Sequence, residues 1–208
     1  MKNNEIVIID SGMGNLNSLS KCVEILGFKF KIVDDPDKKV NCNKIIFPGV
    51  GSYSEAMNKI KIKKWDKFLR RKTLEEGCFF LGICIGMQIL SEFGYENKKT
   101  AGLNIIKGNV ISLKKLNIEN KIPHVGWNDI TIKKNPLFEG IKNNSDFYFD
   151  HSYALHTDNK EVISSICNYG SKFVSSINKE RVYGTQFHPE KSSDNGKRVL
   201  FNFLNQNY

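Results

Sequence analysis

The chain has 208 residues, 40% of them hydrophobic and 25% charged, enough apolar material for one globular domain with a buried core. No window approaches the roughly 18 consecutive apolar residues of a membrane span, and MKNNEIVIID at the N-terminus is one short apolar burst closed by an acid rather than a secretion signal, so a cytoplasmic protein with no membrane partner is expected. The net charge of +9 is spread along the chain; its densest run, residues 59–72, places Ile62, Trp65, Phe68 and Leu69 at helical spacing under a solvated basic face, which argues against a nucleic-acid partner.

Residues 5–10, EIVIID, form a β-branched apolar run closed by Ser11-Gly12, and an apolar-periodic stretch from Leu16 to Leu26 is stopped by Gly27, which predicts strand, turn and helix. The strand signal returns in KFKIV (29–33) and KIIF (44–47), separated by Asp34-Asp35-Pro36. Helical periodicity around 54–76 leads to CFFLGIC (78–84), an apolar run bounded too tightly by glycine to be a helix and read as a buried central strand, with GMQILSEF as the helix after it. Beyond about residue 103 the pattern changes to short strand-like runs, GNVISL, GWNDITI, DFYFDHSY, EVISSIC, KFVSSIN and RVYGTQF, before a closing helix at about 194–205. The expected fold class is α/β: an open, mostly parallel sheet with flanking helices and a partly antiparallel extension, in a single domain over 1–208.

Cys22, Cys42, Cys78, Cys84 and Cys167 are odd in number, form no C-x-x-C pair and have no histidine at metal spacing, so neither a disulfide framework nor a metal site is expected. Four of them read as small core residues. Cys84 is different. Gly82-Ile83-Cys84-Ile85-Gly86 has the G-x-nucleophile-x-G pattern at a sharp strand-to-helix turn, where glycine on either side removes Cβ atoms that would clash. A helix N-terminus favours a thiolate, and the free backbone N–H of Ile85 can face a developing oxyanion. A merely buried cysteine in a glycine-flanked strand would look the same locally.

The second half of the site separates those readings. In Gln186-Phe187-His188-Pro189-Glu190, His188 and Glu190 lie two apart in chain that reads as extended, so both project to one side. A carboxylate can then accept from one imidazole nitrogen while the other nitrogen faces a thiol, the logic of nucleophile, base and orienting group.

LGICIGMQIL and QFHPEKS together resemble the motifs of the class I, triad-type glutamine amidotransferases, a pairing far more specific than either half. The resemblance implies that Cys84 attacks the side-chain amide of L-glutamine to give a glutamyl thioester. It further implies that His188 protonates the departing ammonia and then activates water, that Glu190 orients His188, and that Gln88 holds the substrate, with no cofactor. Phe47-Pro48-Gly49-Val50-Gly51-Ser52 ends a predicted parallel strand, where loops of such sheets meet ligands. In the resembled family PGVG supplies an oxyanion-hole amide from the Val50–Gly51 peptide, beside that of Ile85. Gly49, Gly51, His151, Ser152 and Tyr153 join Gln88 as substrate-binding candidates.

Within that class the chain is most similar to the glutaminase subunits of imidazole glycerol phosphate synthase, through DSGMGNL (10–16), PGVG, the cysteine turn, PHVGWN (123–128), HSY (151–153) and HPEKS. The likeness implies a heterodimer with a (β/α)₈-barrel cyclase that uses the ammonia to make imidazole glycerol phosphate and an aminoimidazole carboxamide ribonucleotide in histidine biosynthesis. Asn15, His124, Trp127 and Tyr148 are the candidates for the partner interface, although Trp127 and Tyr148 read equally well as core aromatics. The glutaminase fold consumes all 208 residues, so a separate protein is expected to use the ammonia, shielded from water that would convert it to ammonium.

Two positions depart from the pattern: Ser11 stands where an aromatic residue is expected, and Ala154 where a second tyrosine is common. They leave open a paralogous subunit that feeds a nucleotide-sugar amidotransferase. From a different class, Gly12-x-Gly14 with Asp34 about 20 residues on resembles a dinucleotide-binding module, but Asn17 takes the place of its third glycine. A peptidase or γ-glutamyl hydrolase would keep the triad and change the substrate.

Overall fold

Four apolar residues form strand β1 (Ile6–Ile9), and Asn15 caps the next element, helix α1 (Leu16–Ile25), by accepting from the Ser18 N–H. In this computed structural model, which describes residues 5–38, 40–133 and 135–207, the chain continues through β2 (Phe30–Val33), β3 (Lys44–Gly49), α2 (Tyr53–Ile62) and α3 (Trp65–Arg70). A wide helical turn at Arg71–Glu75 leads into β4 (Phe79–Cys84) and the four-residue helix α4 (Ile85–Gln88). The second half is mostly strand: β5 (Phe93–Gly94), β6 (Thr100–Ala101), β7 (Asn109–Ser112), β8 (His124–Ile132), β9 (Ser145–His151) and β10 (Tyr153–His156). It closes with β11 (Ile163–Tyr169), β12 (Ser171–Lys179), β13 (Val182–Thr185) and helix α5 (Ser193–Leu204).

Among the described residues, nine strands make one sheet in the order β2-β1-β3-β4-β13-β12-β11-β8-β9. From β2 to β13 the pairings are parallel; from β13 to β9 they are antiparallel, which is the α/β fold with an antiparallel extension expected from the sequence. Both faces of the parallel half are covered. Val7, Ile9, Ile45, Phe47 and Phe80 pack into one core, and Ile6, Ile8, Ile46, Leu81 and Ile83 into the other, so the strands are apolar without alternation. Among the described residues no helix is long and apolar enough to cross a membrane.

A second sheet, β10-β7-β5-β6, is not anticipated by the sequence pattern. It overturns the expected helix GMQILSEF, which stops at Gln88 because the Glu92 N–H bonds to the Gly108 carbonyl and Phe93–Gly94 pairs with both β6 and β7. Tertiary pairing outweighs local helical periodicity there. The chain crosses from the large sheet to the small one at Ser152, between β9 and β10.

Three adjacent parallel strands bring three distant segments together at one edge of the sheet. Gly49 of β3 lies opposite Cys84 of β4, and Thr185 of β13 opposite Ile83, so the PGVG loop, the turn at Cys84 and the segment from Gln186 emerge side by side. This carboxyl edge is where open α/β sheets form ligand crevices.

Candidate active site

The turn at Cys84 is strained and tightly packed. Cys84 adopts φ 53° and ψ −108°, a left-handed conformation unfavourable for a residue with a side chain. A Cβ on Gly82 would lie 2.2 Å from the Gly86 carbonyl oxygen, and one on Gly86 would lie 2.0 Å from that of Phe47, so both flanking glycines are obligatory. The sharp reversal leaves Cys84 only 4% exposed but lining a cavity of about 310 Å³.

His188 and Glu190 meet the thiol there. The His188 Nδ1 and a Glu190 carboxylate oxygen are 2.8 Å apart, with both side chains almost wholly buried. His188 is extended, but Pro189–Lys191 is a 3₁₀ turn, so the turn rather than extended chain brings the two side chains together. The backbone clamps the imidazole: the His188 N–H donates to the Tyr148 carbonyl at 2.9 Å, while the Ser192 hydroxyl donates to the His188 carbonyl and accepts from the Tyr148 N–H. Burial disfavours the imidazolium, yet hydrogen bonds with Cys84 and Glu190 outweigh it and raise His188 to about 10. The arrangement is thus a buried imidazolium between a sulfur and a carboxylate.

The same cavity is lined by Val50, Gly51, Ile85 and Gln88 on one side and by Asp150, His151, Ser152 and Tyr153 on the other. Gln88 donates through Nε2 to the Tyr153 carbonyl at 2.9 Å and to the Gln186 Oε1 at 3.0 Å, while its own Oε1 is buried with no partner among the described residues. The Val50 N–H donates to the Met13 carbonyl, so in this conformation it is not free for another oxygen.

Two candidates lie elsewhere than expected. Gly49 does not line the cavity; it packs beneath it, where an added Cβ would lie 3.0 Å from that of Ile85. His124 is 2% exposed and does not belong to an open partner face. The reason is the twofold alternation of β8, which puts His124 and Ile130 toward the core and Val125 and Trp127 toward solvent. Trp127 is 54% exposed, ruling out the core alternative for its ring, and it meets the half-buried Tyr148 edge-on across the strand pair at 6.1 Å. Asn15 is exposed at the start of α1.

Sequence reasoning missed Glu96, at the cavity wall, and Gln186, wholly buried beneath it. Glu96 accepts the Tyr53 N–H at 2.7 Å and reaches the cavity from the loop between β5 and β6. Gln186 stands in the QFHPE segment and donates to the Cys84 sulfur at 3.6 Å. The features read as a dinucleotide site serve other ends: Gly14 makes room for Pro48 of the PGVG loop, and Asp34 pairs with Lys38 at 2.5 Å.

Residues 7–207 match the family described as glutamine amidotransferase class-I. Imidazole glycerol phosphate synthase subunit HisH of Methanocaldococcus jannaschii is 46% identical over 96% of this chain and 98% of its own. The subunit HisH 1 of Methanococcus maripaludis is 43% identical, with the same two coverages, and that of Campylobacter jejuni serotype O:23/36 is 42% identical over 95% and 98%. Among solved structures, PurLQS from Thermotoga maritima superposes with a TM-score of 0.71 over 97% of this chain and 98% of that one, at 19% identity. A crystal structure of a glutamine amidotransferase superposes with a TM-score of 0.72 over 95% and 97%, at 18% identity.

Proposed function

The chain belongs to the class I glutamine amidotransferases, in the family of imidazole glycerol phosphate synthase HisH subunits, and from that premise we propose that it hydrolyses L-glutamine at Cys84 and passes the ammonia to a cyclase partner in histidine biosynthesis. One arrangement supports the chemistry above all: Cys84 on a strained turn, against a buried His188–Glu190 pair, at the wall of a cavity of about 310 Å³.

The Cys84 thiolate attacks the side-chain amide carbon of glutamine. The oxyanion that forms lies toward the Ile85 N–H, at the first residue of α4, and toward the Gly51 side of the PGVG loop. His188 gives its proton to the departing nitrogen, the C–N bond breaks, ammonia leaves and a thioester remains. The neutral imidazole then takes a proton from water, the hydroxide adds to the thioester carbonyl, and glutamate departs as the thiolate is restored. Glu190 holds the imidazole by Nδ1 so that the other nitrogen serves the sulfur and the leaving group. Gln88 Oε1 accepts from a substrate N–H, and Glu96 supplies the negative charge that an α-ammonium group requires.

The partner is a barrel-type cyclase that docks on the exposed face bearing Trp127 and Tyr148, whose backbone carbonyl also holds His188. Ser11 and Ala154, the two departures from the family pattern, are buried and do not line the cavity. The Val50 N–H is engaged by the Met13 carbonyl, so the loop's oxyanion donor is the Gly51 N–H of the Val50–Gly51 peptide, and partner docking is the step that sets it in place and completes the oxyanion hole.

The test is glutamate release with and without the histidine-pathway cyclase and its substrate. The wild-type chain is expected to accelerate on adding both, and Cys84→Ala to lose about ten-thousandfold or more. A glutamine-analogue inhibitor should label Cys84. Full glutaminase activity in Cys84→Ala would sink the mechanism; a response only to a sugar-modifying partner would move the acceptor to that class.

A further inference from the structure

A line of hydrogen bonds under the cavity ends on the nucleophile. It starts at the Tyr153 carbonyl oxygen, which can only accept. Gln88 donates to it through Nε2 at 2.9 Å, which leaves its amide a single orientation. The same NH₂ group lies 3.0 Å from the Gln186 side chain, and the atom receiving its second proton must be an oxygen. Gln186 is therefore held with Oε1 toward Gln88 and Nε2 toward the Cys84 sulfur, 3.6 Å away, a normal separation for an N–H on so large an acceptor. Gln186 is wholly buried, so no solvent competes for that contact.

We propose that Gln186 is a further catalytic residue, whose side-chain N–H donates to the Cys84 thiolate and stabilises it together with His188. A neutral donor suits this position. A cation there would compete with His188 for the sulfur's charge and weaken the imidazolium that must later protonate ammonia, whereas an amide favours the thiolate without that penalty. The Gln88 link keeps the donor from rotating. It also joins the nucleophile to a residue that lines the substrate cavity.

Alkylation of Cys84 by iodoacetamide, followed by mass spectrometry across a pH series on the full chain, reads the thiolate without needing substrate. The other titratable groups near the sulfur are His188 with Glu190 behind it, Asp150 and His151 at the end of β9, and Glu96 on the cavity wall; all are retained in the variants. Gln186→Met, similar in volume but without a donor, is expected to move the alkylation midpoint up by about one pH unit, about tenfold in thiolate fraction at a fixed pH. Gln186→Glu, which sets an anion beside the sulfur, should move it further, and in both kcat should fall by a larger factor than KM rises. An unmoved alkylation profile in folded Gln186→Met overturns the proposal.

If neither variant folds, NMR of the wild-type chain labelled at glutamine side-chain nitrogen decides the matter. The Gln186 NH₂ signals must titrate with Cys84 and lose that response in Cys84→Ala; silence in the wild type overturns the assignment. The inference rests on the amidotransferase reading, yet the two fail separately. Glutamate release with an unmoved alkylation profile removes Gln186 and leaves the function. A shifted profile in a chain that releases no glutamate removes the function and leaves the thiolate contact.

Discussion

Two sets of buried imidazoles stand close together by the cavity, and they titrate in opposite directions. His124 and His151 are neutral: burial lowers His124 to about 4 and His151 to about 3, the latter despite a hydrogen bond with the Tyr153 carbonyl that favours the cation. His188 meets the same penalty of burial, but Cys84 and Glu190 overcome it and hold it near 10. Burial alone therefore does not decide the charge; an anion within hydrogen-bond reach does. The neutral pair is well suited to a wall. His151 Nδ1 meets the Tyr153 carbonyl at 2.9 Å, so its Nε2 must accept from His124 Nδ1 at 3.2 Å, and His124 is stacked between Tyr169 and Phe149.

The strongest way to break this contrast is to remove the anion. Glu190→Gln should cost about a hundredfold to ten-thousandfold in glutamine turnover, in line with loss of the orienting carboxylate in other triads. In the wild type the raised His188 stabilises the fold fully below its ordinary value of 6.5, and that contribution is lost as pH rises through about 10. In Glu190→Gln the loss should begin at lower pH, and with it the alkaline limit of kcat. A pH–rate profile beside denaturant titrations at several pH values checks both; unchanged alkaline limits would show that Glu190 does not hold the proton.

A smaller effect lies on the acid side. Below 6.5 the unfolded chain protonates His124 and His151 while the folded chain refuses the protons, so stability falls with pH until about 4 for His124 and about 3 for His151. The slope is about 1.4 kcal/mol per pH unit for each imidazole. The smallest change sharpens the assignment: His124→Phe keeps an aromatic ring in the stack, costs about 1–3 kcal/mol at neutral pH by leaving His151 Nε2 without its donor, and should halve the acid slope. Urea midpoints at pH 7 and pH 5 for the two proteins measure it. Equal slopes would mean that His124 is not a buried neutral group.

How much of this was legible differs from residue to residue. Cys84 with its two glycines, and His188 with Glu190, sit in short segments whose spacing already predicts the sharp turn and the paired side chains found there. The parity of their positions in one strand sets His124 and Trp127 on opposite faces, yet the sequence reading put both on the partner face because it grouped them by motif rather than by strand alternation. Glu96 carried no signal. It reaches the cavity because two-residue strands either side of it pair and because the Tyr53 N–H anchors its carboxylate. The helix expected after Gln88 was a fair local reading that lost to the pairing of Phe93–Gly94.

By itself the sequence determined the sharp turn at Cys84 and the pairing of His188 with Glu190, because steric demand at a G-x-C-x-G reversal and the reach of a carboxylate two residues from an imidazole act over a few bonds. Only the tertiary structure decided which other groups meet the sulfur. Gln88 and Gln186 stand 98 positions apart and touch because β13 lies beside β4, with Thr185 opposite Ile83. Such register is settled when the sheet assembles and side chains find their single buried fit, and no local spacing rule encodes it.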